Sequence, residues 1–191
     1  MRYSEDHKAQ TRRRIVEEAA RRFRRDGVSA TGVQTLMKAL NLTHGGFYAH
    51  FKSKDELVEE ALRHCAAELD EVTTNSLSGD QPLATFIRRY LSKTHRAEPA
   101  QGCPLPTVSA ELGQRGQAST VTDEAVNKRL AQIGAHLENG QDAALALSAM
   151  VGALMLSRSV ADPELSDRLL DETRASLLRL AGANLPESRG C

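Results

Sequence analysis

Apolar residues recur along this chain at helical spacing, and no stretch alternates as a strand would. Between residues 8 and 25, Ile15, Ala19 and Phe23 fall at four-residue steps with Val16 and Ala20 beside them, which leaves a second stripe of arginines. Gly27 marks the stop of that helix. Val33, Leu36, Met37 and Leu40 line a second, shorter helix, and Asn41 follows where a turn needs a residue tolerant of left-handed dihedrals. Thr43 is positioned to cap a third helix reaching Phe51. Ser53-Lys54-Asp55-Glu56 then fits a capping box, and the helix it opens carries Leu57, Val58, Ala61, Leu62, Cys65 and Leu69 at core spacing.

The polar run Ser76–Gln81 reads as a loop, and Pro82 opens a helix predicted to run to about His95. Residues 98–102 break it. Cys103-Pro104 starts a further helix with Leu105, Val108 and Leu112 inward, residues 113–119 break again, and a helix from about Asp123 to Glu138 follows. Gln141 to about Val160 is long and apolar, with small residues at Ala146, Ala149, Gly152 and Ala153. Asp162-Pro163-Glu164 caps a final helix carrying Leu165, Leu169, Leu170, Leu177, Leu178 and Leu180. A helix pair apolar around much of its girth needs partners on several sides. A homodimer packing residues 141–182 of two copies into a four-helix arrangement supplies them, and an ordinary interior hairpin is the alternative.

Charge changes the picture of the first quarter. The whole chain is neutral, yet residues 1–54 hold twelve basic and five acidic side chains, a surplus of seven that the remainder offsets. A head this basic suits a polyanion. With two short helices and a tight turn behind an arginine-rich helix, residues 31–54 read as a helix-turn-helix, whose second helix enters the major groove of double-stranded DNA. Thr43, His44 and Gly45 stand at the amino end of that helix. His44 can donate to guanine N7 or O6, and Gln34 on the preceding helix can pair with adenine. Gly45 and Gly46 would weaken an isolated helix; either close approach to DNA or packing against the second helix explains them. Phe47 and Phe51 read as core.

The stretch Leu42-Thr43-His44-Gly45-Gly46-Phe47-Tyr48-Ala49-His50-Phe51-Lys52-Ser53-Lys54-Asp55-Glu56-Leu57 resembles the TetR family of transcriptional repressors in its aromatic-Tyr, His-Phe and Ser-Lys-Asp-Glu-Leu spacing. Asn41 departs from the glycine usual in that turn but can adopt the same dihedrals. The resemblance implies an all-α fold of about nine helices, with a three-helix helix-turn-helix DNA-binding domain at 1–53 and a helical effector-binding and dimerisation domain at 54–191. It further implies that Tyr48, His50 and Lys54 grip phosphates, with core packing as the alternative for Tyr48. A palindromic operator would match a two-fold dimer. The ligand pocket of such proteins lies among the middle helices, which makes Leu62, Cys65, Phe86, Tyr90, Cys103, Val108, His136 and Met150 candidate liners.

Other chemistry finds little footing. His44 and His50 are six residues apart, far round a helix from one another, and His64 and Cys65 diverge, so no metal site is expected. No catalytic triad, phosphate loop or carboxylate pair stands out, and neither an enzyme nor a cofactor is expected. Residues 1–25 lack a secretory apolar core, and no apolar run approaches membrane-spanning length, so a cytoplasmic protein with no membrane partner is expected. The three cysteines, Cys65, Cys103 and Cys191, are too few and too odd for a disulfide framework. Cys103, between Gly102 and Pro104 at a predicted helix start, is either a buried filler or a reactive thiol. Gly102-Cys103-Pro104-Leu105 through Ser109-Ala110-Glu111-Leu112 is similar to a pattern in TetR-family members, among them a branch that senses electrophiles. The expected function is a dimeric repressor released from its operator by a small molecule; the alternative is a redox- or electrophile-sensing repressor acting through Cys103. Aromatic residues make up only 4% of the chain, with no tryptophan, which favours a small or aliphatic effector over a flat polyaromatic one.

Overall fold

The computed structural model describes residues 2–138 and 142–182, and among these residues it contains nine α-helices and no strand. Gln141, where the apolar hairpin was expected to begin, and Cys191 lie outside the described residues. Helix α1 (Arg2–Asp26) starts ahead of the apolar stripe, the polar residues before Ile15 extending the helical ladder. Gly27 ends it at φ +87°, a left-handed conformation that side chains resist. After α2 (Val33–Ala39), Asn41 takes φ 58° in the turn, as the missing glycine requires. The expected third helix is a short 3-10 segment, His44–Ala49. Helix α3 (Lys54–Ser76) opens on half of the expected capping box: Glu56 N donates to Ser53 Oγ at 3.1 Å, while the Glu56 carboxylate accepts from Lys52 N at 2.7 Å instead of from Ser53 N.

Instead of one helix from Pro82 to His95, α4 (Pro82–Tyr90) ends at Leu91 and α5 (Lys93–Ala97) restarts. Leu91 is fully buried with its carbonyl accepting from Arg174 at 2.9 Å, and Ser92 caps α5 by accepting from His95 N at 3.1 Å. The helix expected from Pro104 is a π-helical stretch, Leu105–Ser109, running into α6 (Ala110–Gln114). Then come α7 (Thr120–Gly134), α8 (Asp142–Ser159) and α9 (Pro163–Leu180), the last capped by Asp162 accepting from Glu164 N at 2.9 Å.

The chain groups into two compact units, one formed by residues up to Leu69 with Pro99–Asp123, the other by Asp70–Glu98 with the residues from Glu124 onward. The first has a single core: Ile15, Ala19 and Phe23 of α1, Leu36 and Met37 of α2, Phe47 and Phe51, Leu57, Ala61 and Cys65 of α3, and Val108 and Val121. The basic head therefore shares its core with α3 and with the 105–121 segment. In the second unit α8 packs on α9, burying Met150, Leu154, Leu170, Leu177 and Leu178. Arg158 ties α5 to α8 by donating to the carbonyls of His95 at 2.6 Å and Arg96 at 3.1 Å, and Asp167 of α9 pairs with Lys93 at 2.6 Å and Arg96 at 2.8 Å.

Candidate nucleic-acid interface

The 3-10 segment is held from beneath and left bare above. Phe47 and Phe51, 1% and 2% exposed, stack with centroids 5.3 Å apart and root it in the core. Thr43 caps its start, its hydroxyl accepting from Gly46 N at 3.2 Å. A Cβ on Gly46 would lie 3.2 Å from Thr43 Oγ1 and 3.8 Å from Met37, whereas one on Gly45 would meet nothing. Of the two readings of these glycines, packing explains Gly46, and only Gly45 faces open space.

Gln34, Thr43, His44, Gly45 and Tyr48 are all exposed. Tyr48 is 64% exposed, which rules out a core role; its ring stands edge-on to His44 at 5.9 Å and to Phe47 at 5.3 Å. A donor-acceptor imidazole at the start of the segment and a phenol near its end are thus both exposed, with a backbone lacking Cβ at Gly45 between them.

His50 and Lys54 sit differently. His50 is half-buried, and its Nδ1 is buried with no hydrogen-bond partner among the described residues. Burial lowers its pKa, and the nearby charges of Lys8, Arg12 and His7 lower it further, so the ring is neutral at pH 7. An unpaired buried N–H is the costlier orphan, which leaves Nδ1 as the bare nitrogen and puts the proton on Nε2. Lys54 Nζ donates to the Val28 carbonyl at 2.5 Å, and desolvation, followed by Arg115, lowers its pKa against the pull of Glu111 and Asp55. Its ammonium thus serves the turn after α1.

Sequence reasoning did not find Arg12. Its guanidinium lies 4.1 Å over the Phe51 ring, pairs with Glu56 at 3.0 Å and also bonds Glu60. The one available signal was Glu56 and Glu60 four apart on a single face of α3. Arg24 is likewise internal, paired with Glu68 at 2.9 Å and only 4% exposed. Among the described residues, Lys8, Arg13, Lys38 and Lys52 are exposed and enter no ion pair, so the positive surplus of the head is still available to a polyanion there.

The candidate pocket residues are divided between the two units. Leu62, Cys65, Cys103 and Val108 belong to the first unit, Phe86, Tyr90, His136 and Met150 to the second. All but His136 are buried; His136 is exposed. Cys103 is 5% exposed, and burial pushes the neighbouring Cys65 thiol up to about 12, which makes Cys65 an inert filler. No helix among the described residues is long and apolar enough to cross a membrane.

Comparison with known proteins agrees with this geometry. Residues 15–61 match the bacterial regulatory proteins of the tetR family. The chain is 26% identical over 102 residues to the HTH-type transcriptional repressor DhaR of a Mycobacterium species, an alignment covering 53% of this chain and about half, 52%, of DhaR. It is 25% identical to an HTH-type transcriptional regulator of Mycobacterium tuberculosis across 92% of this chain and 96% of that protein. A TetR transcriptional regulator from Chloroflexus aurantiacus superposes with a TM-score of 0.69 at 23% identity, covering 93% of this chain and 95% of that one, and so shares the fold. The matched residues span the capped 3-10 segment, its two anchoring phenylalanines and the helices on either side, and over these residues the chain matches the tetR family of bacterial regulatory proteins.

Proposed function

We propose that the chain is a DNA-binding transcriptional regulator, a homodimeric repressor released from a palindromic operator by a small-molecule effector. The observation that carries this reading is the bare row Gln34, Thr43, His44, Gly45 and Tyr48 on a segment rooted by Phe47 and Phe51 and flanked by unpaired lysines. Residues 1–53 are the DNA-binding domain in this reading. His44 and Gln34 read base edges; Thr43, Tyr48 and the Nε2–H of His50 contact phosphates, and Gly45 lets the backbone approach. Lys54 is assigned to phosphate less directly, since its ammonium is engaged by Val28.

Dimerisation is supported by α8, where Leu145, Met155 and Leu156 are 61%, 41% and 47% exposed and Gly152 allows close approach, an apolar face that a second copy would cover. The repressive sign is supported by DhaR, which is named a repressor. The reading includes no catalytic step. Release by an effector is taken over from the resemblance, with the buried side chains around Phe86, Tyr90 and Met150 as its candidate site; the burial of Cys103 favours a reversible small ligand over a thiol reagent.

The test is selection from a random-sequence duplex pool by the purified protein, followed by affinity measurements across a salt series. A recovered palindrome, bound by a dimer with strong salt dependence and at least about a thousandfold over unselected duplex, supports the reading. Recovery of no common sequence overturns it.

A further inference from the structure

The turn after α1 carries a second, unassigned feature. Gly27 is left-handed, and the next two backbone N–H groups, of Val28 and Ser29, point the same way, the arrangement that forms an anion-binding nest. The nest holds the carboxylate of Glu111, more than eighty residues away in sequence: Val28 N donates to Oε2 at 2.6 Å, and Ser29 N donates to both oxygens at 3.2 and 3.3 Å. A Cβ on Gly27 would stand 2.7 Å from Glu111 Oε1, so the glycine serves both the turn and the close approach of the carboxylate.

The surrounding bonds converge on the same turn. Lys54 donates to Val28 O, Thr31 Oγ1 donates to Gly27 O at 2.8 Å, Arg115 bonds the Ser29 hydroxyl, and Thr107 Oγ1 donates to Arg24 O at 3.0 Å near the end of α1. Three of the partners, Thr107, Glu111 and Arg115, come from the 105–115 stretch. They sit four residues apart across the junction of the π-helical turn with α6. A π-helical turn is rare and is found frequently at functional sites.

We propose that Glu111 is the positioning residue of the reading head: its carboxylate, seated in the Gly27–Ser29 nest, fixes where α2 starts and so sets the aim of the segment that follows. The inference rests on the DNA-binding reading above and names the residue that regulates it. Selective binding requires side chains aimed at base edges, whereas sequence-independent binding requires only charge. Release of Glu111 from the nest therefore costs selectivity and leaves non-selective affinity alone. The same contact makes the register of residues 105–115 a control on DNA affinity.

The experiment uses the full chain as wild type, E111A and E111Q. Three quantities are read: amide hydrogen exchange at Val28 and Ser29, the thermal midpoint, and affinity for a duplex selected by the wild type against an unselected duplex of equal length. The expected result is faster exchange at both amides and about a tenfold or greater loss on the selected duplex, with the unselected duplex bound as before. Equal loss on both duplexes, or loss on neither, overturns the proposal, and so does unchanged exchange at Val28 and Ser29. E111Q keeps the side-chain length and one acceptor, so it reports even if E111A does not fold. If the wild type selects no sequence, the regulator reading fails and this proposal with it, whereas selection by wild type and variants alike overturns only the role of Glu111.

Discussion

At the residue scale, two adjacent glycines and one histidine carry different obligations. Gly46 is hemmed by the Thr43 hydroxyl that caps the segment, whereas Gly45 is open. Gly46→Ala is expected to lower stability by about 1 kcal/mol through crowding of that cap. Gly45→Ala is expected to leave the thermal midpoint unchanged and to weaken selective DNA binding, because its methyl would stand where the backbone meets the duplex. Thermal melts beside binding titrations separate the two; a Gly45→Ala protein that binds as well as wild type would remove Gly45 from the interface. His50 gives a pH dependence with a definite sign. Its pKa is lowered in the folded chain, mainly by burial, with the charges of Lys8, Arg12 and His7 adding to the effect. Between that lowered value and its ordinary value of about 6.5, the unfolded chain binds the extra proton, so stability falls as pH drops through this window and is restored above it. The pKa of half-buried His95 is lowered in the same direction, first by desolvation, so the wild-type acid limb contains both. His50→Gln is expected to flatten the limb in part, as measured by denaturant titrations from pH 7 to 5; an unchanged limb would show that His50 protonates freely in the fold.

At the element scale, the 3-10 segment stands because α1 and α3 grip its far end. Arg12 of α1 lies over Phe51 and reaches Glu56 and Glu60 of α3, so a single guanidinium joins three elements by its plane and its fork. Lysine would keep the charge and lose the geometry. Arg12→Lys is expected to cost about 1 kcal/mol, a modest figure because the pair is partly solvated; chemical denaturation checks it, and a silent substitution would place the anchor in Phe47 and Phe51 alone. These contacts also show which features the sequence could reveal. Asn41, Thr43, Ser53 and Asp162 were legible because caps and left-handed turns are settled by neighbours within four residues. The helix break at Leu91 was not, because it depends on burial and on Arg174 from α9. The π-helical entry to α6 and the seat of Glu111 on Val28 were also hidden, as they join positions more than eighty apart. The resemblance implied a phosphate contact for Lys54, and its carbonyl partner in the turn after α1 could be seen only in the fold. The sequence left Tyr48 open between core and surface, because aromatic spacing on a short segment suits either; its 64% exposure decides it.

At the scale of the whole molecule, affinity should reflect how many heads act together. Lys8, Arg13, Lys38 and Lys52 are exposed and unpaired among the described residues, so one head can displace on the order of four counterions and two heads about eight. The logarithm of the binding constant should then fall with the logarithm of salt at a slope of about −4 for one head and about −7 for a pair. Leu145 and Leu156 occupy the uncovered face of α8, and replacing both by glutamate would bring like charges together across a two-fold contact. The double variant is expected to sediment as a monomer and to keep its helicity. It should retain the single-head slope and lose most of its affinity for a two-half-site duplex, since the second head no longer binds at high effective concentration. If the variant still sediments as a dimer, the uncovered face of α8 is not the interface. If it becomes monomeric yet keeps the steeper slope and full affinity, a single head binds the whole site, and the palindrome in the proposed operator loses its structural reason.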